Sequence, residues 1–237
     1  MKTALLLLAA ASAGAAGCTN NDISMSVVQM AAVNRTTSCV AMATVGAGTI
    51  GRARGLLDVA KTSTNGYIAI PIVRNNLTPL TNNVEFNSIQ LMGANVKLST
   101  AAGATLTLAN GQSSFFYASA AGRIDPGGVA AMPVEVLSAP AARSLAGMIP
   151  SGGLFTIIAD IRPVGMHSSD QIIGGAIDFP IDLCSGCLTD TSTCPLAKGT
   201  IATDVCPGLQ QQDDPEICCT DTTGATLCGT AAPVSAM

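Results

Sequence analysis

The segment Cys184-Ser185-Gly186-Cys187 is where this chain most plainly holds residues that do chemistry. Two cysteines at this spacing can form a redox-active dithiol when a helix N-terminus in a thioredoxin-like βαβ setting stabilises one thiolate. Here the pair ends an alternating apolar stretch and opens a Cys-rich segment, with no helix-forming run behind it, so structural disulfides fit better. The same sulfurs could ligate zinc. However, the steps from Cys187 to Cys194, Cys206 and Cys218 give no second CxxC, and the adjacent Cys218-Cys219 is more typical of disulfide frameworks. His167 is the single histidine, so any Ser-His-Asp or Cys-His site must use it. Ser168, Ser169 and Asp170 follow it, but sequence neighbours in a loop seldom form a triad and no GxSxG elbow is present. The expectation is an exposed loop histidine. Asp213, Asp214 and Glu216 offer the oxygen ligands that calcium takes, without the alternating Asp/Asn pattern or the Gly of an EF-hand loop. A solvated acidic turn is expected there. Asp160 and Arg162 share a strand face and can pair, which carries little energy and no activity. No catalytic residue, metal or cofactor is implied.

Composition narrows the partners. The chain has 237 residues, of which 11% are charged, with eleven basic against fifteen acidic residues. Such a chain is not of the charge-rich disordered kind, and no basic patch invites nucleic acid. Aromatics are 3% with no Trp, too few for the stacking platforms that bind sugars or bases.

The elements that must position these residues read as strands. Ile68, Ile70 and Ile72 alternate in 66–73, with Pro71 marking an edge or bulge. In 89–98 the apolar parity switches from Ile89 and Leu91 to Ala94, Val96 and Leu98, so a bulge is expected at Met92-Gly93. Leu106 and Leu108 lead to the turn signal Asn110-Gly111, and Phe115, Phe116 and Tyr117 follow it. Met132, Val134 and Val136 alternate. Ser138 is a good cap for a short helix through Leu145. The clearest pair is Phe155, Ile157, Ala159, Ile161 against Ile177, Phe179, Ile181, Leu183, with 163–171 read as the loop between. Earlier strand candidates are 22–30, 38–44 and 52–60. Eight to ten strands with Gly- and Asn-rich turns predict an all-β fold, an antiparallel β-sandwich, with a β-barrel as the alternative.

The N-terminus addresses the chain. Lys2 precedes an uncharged apolar run, then Gly14, Ala15, Ala16, Gly17 and Cys18, which is the layout of a secretory signal peptide. The motif resembles the lipobox of bacterial lipoproteins, with Ala15 where that class most often has Leu. The resemblance implies cleavage before Cys18 and lipidation of its thiol with a diacylglyceryl group of palmitate-type chains. Thr19, in place of the Asp that favours inner-membrane retention, implies an outer-membrane anchor. The stretches LLDVA, GYIAIPIVRNNL, FNSIQLMGANVKL and DFPIDLCSGCL also resemble Gram-negative outer-membrane lipoproteins with similar Cys-rich tails, a class that brings no activity and no site residues with it.

With Cys18 lipidated, eight cysteines remain: Cys39, Cys184, Cys187, Cys194, Cys206, Cys218, Cys219 and Cys228. In an oxidising compartment they read as four disulfides whose pairing is open among roughly a hundred. Because seven lie in 184–237, one bridge from Cys39 into the tail and three within it are expected. The organisation read from this is a signal peptide over 1–17, a lipidated tether over 18–21, a β-sandwich body over 22–183 and a disulfide-stapled tail over 184–237. The functional expectation is a membrane-anchored exported lipoprotein, a non-enzymatic binding, adhesion or envelope-structural module with an envelope protein as partner. The alternative is a periplasmic enzyme, either a thiol oxidoreductase using Cys184 and Cys187 or a hydrolase using His167.

Overall fold

The structure is a computed structural model that describes residues 24–32, 43, 45, 51–61, 66–80, 86–108, 112–190, 212–213, 216–220 and 226–230. Residues 1–23 with Cys18, most of the 38–44 candidate, Cys39, Asn110-Gly111, Cys194, Cys206 and Asp214 lie outside them. The strands are β1 (Met25–Met30), β2 (Gly55–Asp58), β3 (Tyr67–Ala69), β4 (Pro71–Asn75), β5 (Ile89–Thr100), β6 (Phe115–Ile124), β7 (Val129–Ala131) and β8 (Val134–Leu137). After helix α1 (Ala139–Leu145) come β9 (Phe155–His167), β10 (Asp170–Ile173), β11 (Ile177–Cys184), β12 (Thr189–Asp190), β13 (Glu216–Thr220) and β14 (Thr226–Thr230).

The fold is all-β. The main sheet runs β2-β11-β9-β5-β6, with β10 also paired to β9. Smaller sheets β1-β4-β7 and β3-β8 supply the opposing layer, and β12-β13-β14 form a fourth sheet. All pairings are antiparallel except β2 with β11 and β12 with β13. One core joins the layers: Met25, Tyr67, Val73, Val134 and Val136 of the smaller sheets meet Leu91, Val96, Ile157, Ile161, Phe179 and Ile181 of the main one. Burying each such side chain contributes about 1.5–3 kcal/mol. Among the described residues no helix is long and apolar enough to cross a membrane.

Local chemistry explains most elements. Phe179 lies opposite Ala159 and Ile181 opposite Ile157, so the two alternating stretches bury one face each in register. The parity switch in β5 is a bulge between Leu91 and Gly93 against both neighbours. Gly93 has φ +152°, and a Cβ there would collide with the Ala118 carbonyl oxygen. Only glycine fits. The Ser138 hydroxyl accepts from Ala141 N at 3.3 Å and caps α1.

Several expectations are corrected. The segment 163–171 is no loop: β9 continues through Pro163 to His167, and β10 returns with Asp170 opposite His167, leaving a two-residue turn. Ser168 adopts φ +56°, the positive value that primed hairpin turns require. Ile68, Ile70 and Ile72 do share a side, but Pro71 breaks the stretch into β3 and β4, in different sheets. Ile70 and Ile72 fill a second apolar cluster with Ala31, while Tyr67, Ala69 and Val73 face the main core. Pro71 sits at the first position of the central strand β4 and not on an edge strand, while the β1–β4 register does shift close by, between Val27 and Gln29. The tail, where short Cys spacings, Pro195, Pro207, Pro215 and Gly-rich turns predict little regular structure, forms strands, since β12, β13 and β14 pair within it.

Candidate functional site

The parallel pairing of β2 with β11 sets Asp58 opposite Cys184 at the two strand ends. Cys184 and Cys187 are joined by a disulfide, with Cα atoms 5.9 Å apart. Cys184 is buried and Cys187 exposed. Asp58, itself fully buried, holds the loop between them. Its Oδ1 accepts from Gly186 N at 2.8 Å and Ala60 N at 3.0 Å, and its Oδ2 from Leu188 N at 3.0 Å. One oxygen of Asp58 and both sulfurs lie within 4.8 Å of one another, as metal ligands would. That donor set is already spent, the sulfurs on each other and the carboxylate on three backbone N–H groups. The carboxylate also opposes a thiolate beside it, and strand β12 follows the loop where a redox site would place a helix.

Asp213 is not a solvated acidic turn. Its carboxylate accepts from the Tyr67 hydroxyl and from Leu56 N at 2.9 Å, and lies 3.2 Å from Arg52 Nη1. Its own N–H donates to Leu56 O at 2.7 Å. Gln212 beside it is 4% exposed and matches the backbone of Ile68 with both ends of its amide, Oε1 to N at 2.9 Å and Nε2 to O at 3.1 Å. Two adjacent tail residues thus dock onto β2 and β3. Glu216 is the first residue of β13.

His167 is not in an exposed loop either. It ends β9, half-buried, with Nε2 3.3 Å from Asn87 Oδ1. Asp160 and Arg162 do pair on the outer sheet face, at 2.9 Å. The hydrogen bond to Asp160, then its charge, pushes the Arg162 guanidinium further above its already high range.

A cleft of about 470 Å³ opens beside β6. Leu98, Leu108, Phe116, Ala118 and Ala141 give it an apolar floor, and Gln112, Ser113, Tyr117, Ser119, Glu135 and Ser138 supply the polar groups. The volume lies in the range of ligand sites, which combine such a floor with few polar groups. Gln112 Oε1 is buried and has no hydrogen-bond partner among the described residues. A buried acceptor left unmade costs about 1–3 kcal/mol. A bound donor would recover that cost.

Comparison with protein-family models gives no match, and comparison with curated proteins gives none. Among solved structures, a protein from Archaeoglobus fulgidus is similar at 14% identity over 48% of this chain and 78% of that one, with a TM-score of 0.29. A likeness of that size carries no argument about function.

Sequence reasoning named the disulfide cysteines but missed Asp58, Gln212 and the cleft. Asp58 precedes a short 3-10 turn and carries no motif. Glu135 is the ordinary outward polar residue between Val134 and Val136, and Gln112 directly follows the Asn110-Gly111 turn signal. The one available signal was Ser138, singled out as a helix cap, which also lines the cleft.

Proposed function

We propose that this chain is an exported, lipid-anchored outer-membrane lipoprotein that acts as a non-enzymatic binding module, with the β6 cleft as its binding site. The unpaired Gln112 oxygen above an apolar floor carries this reading. The lipobox-like run ending at Cys18 supports the anchor, since more than one acyl chain holds a protein stably on a membrane. A hydrolase built on His167 fits the geometry poorly. His167 lies opposite Ile89 at one end of β5, whereas Leu98 lines the cleft nine residues along. That is ~30 Å at ~3.3 Å per residue, and even Ser119, opposite Gly93 four residues along β5, is ~13 Å away, beyond the reach of a general base.

Two measurements test the proposal. Fatty-acid-analogue labelling should mark the wild-type chain and not Cys18→Ser, and equal labelling of both would remove the anchor. A photo-crosslinking residue at Ser113 should capture an envelope protein in intact cells. The same probe at Ile173, exposed on β10, should not. Equal capture at both positions would remove the cleft from the account.

A further inference from the structure

We infer that the cleft takes an extended peptide segment, bound as an added strand on β6, with apolar residues alternating and at least one Lys or Arg. This rests on the reading of the cleft as a binding site and specifies its ligand.

The ladder phase leads to it. Leu98 N donates to Ser114 O at 2.7 Å. In an antiparallel pair, hydrogen-bonded and non-bonded positions alternate. Phe116 opposite Val96 and Ala118 opposite Ala94 therefore bond to β5. Phe115, Tyr117 and Ser119 turn their N–H and C=O groups away from it. β6 is the last strand of its sheet; Phe115 N is taken by Ser113 Oγ at 3.1 Å, and among the described residues the outward groups of Tyr117 and Ser119 have no backbone partner. A bulge at Ala120-Ala121 ends this phase, so the regular edge is Phe115–Ser119, free of proline, and such an edge is a template for another strand.

The cleft lies along this edge and decides what fits. Gln112, Ser113, Glu135 and Ser138 line it together with Tyr117 and Ser119, the residues that carry the outward backbone groups. Main-chain bonds from β6 would supply affinity, and pockets for alternate side chains specificity. Side chains that point inward from an added strand meet Leu98, Leu108, Phe116 and Ala141, so they should be apolar. Glu135 brings the one formal charge in the lining and Gln112 Oε1 an unfilled acceptor. Both select for a cationic or N–H-rich side chain.

The experiment is panning of a displayed random library, about nine residues long (~30 Å extended), on the full oxidised chain. Enriched peptides should alternate apolar residues around a Lys or Arg. A synthetic winner N-methylated at alternate amides should lose about tenfold or more in affinity in one phase of methylation and little in the other. Glu135→Gln should relax the selection for Lys and Arg. Tyr117→Pro, which removes an edge N–H but no bond to β5, should abolish enrichment. Should that variant not fold, the methylation series on wild-type protein still decides. Winners without alternation, equal effects of both methylation phases, or self-association through β6 would overturn the inference. If Ser113 captures an envelope protein while the library yields nothing, strand addition falls and the binding module stands. If both are silent, both fall.

Discussion

The Tyr67 hydroxyl lies 2.9 and 3.0 Å from the two carboxylate oxygens of Asp213 and donates to that carboxylate, joining residues 146 apart in the chain. Tyr67 is 1% exposed, so this bond forms where water competes little. Hydrogen bonds to charged groups contribute about 1.5–3 kcal/mol, more than neutral ones. Together with Gln212 it fastens the start of the described tail to the body.

Asp213→Ala should therefore destabilise the protein by about 2–3 kcal/mol and release the Leu56 amide, and Tyr67→Phe should cost about half of that. Hydrogen exchange read amide by amide checks it. Leu56 N should lose protection in Asp213→Ala, while Ile68 N, held by Gln212, should lose less. Unchanged exchange at Leu56 would mean that the tail docks by other contacts.

Gly93→Ala should be among the most costly single-methyl additions in this fold. The new Cβ meets a backbone oxygen of β6, which cannot rotate away, and the φ of +152° is one that L side chains rarely adopt. A loss of about 2–4 kcal/mol in denaturant unfolding is expected. Gly103→Ala, at φ +82° but with open space around it, should cost less, about 1 kcal/mol.

Asp58→Ala would leave three backbone donors without their acceptor near the Cys184–Cys187 loop. A destabilisation of at least about 3 kcal/mol is expected. Cys187→Ser should cost less, about 2 kcal/mol, because the disulfide closes a very short loop and constrains the unfolded chain little. Thermal unfolding of the two variants side by side gives the order. The reverse order would show that the disulfide, and not the carboxylate, shapes this loop.

The register of β13 and β14 places Cys218 opposite Cys228. Residues so opposed have Cα atoms about 4.5–5.5 Å apart, which a disulfide spans. Peptide mapping of the unreduced protein should find a Cys218–Cys228 link beside Cys184–Cys187, leaving Cys39 to pair with Cys194, Cys206 or Cys219. A free Cys39 thiol, or an intermolecular link through it, would contradict the expected staple from body to tail.

Much of the body was legible from residues close together in the chain. The period-two burial of β9 and β11, the parity switch at Met92-Gly93 and the Ser138 cap are set by neighbours within a few positions. A pleat alternates every residue, a bulge shifts that phase by one, and a cap needs only the next turn. The same local logic failed at Pro163-Gly165, where turn-forming residues continue β9 because β5 and β10 pair on either side of it. What tertiary structure alone decided is which distant segments meet. Parallel pairing brings Asp58 to a loop 128 residues away, Gln212 and Asp213 find β2 and β3, and β6 is left as an open edge along a cleft. None of these residues carries a local pattern, because their partners are set by strand order and register, which the burial of the whole core selects and no short window of sequence contains.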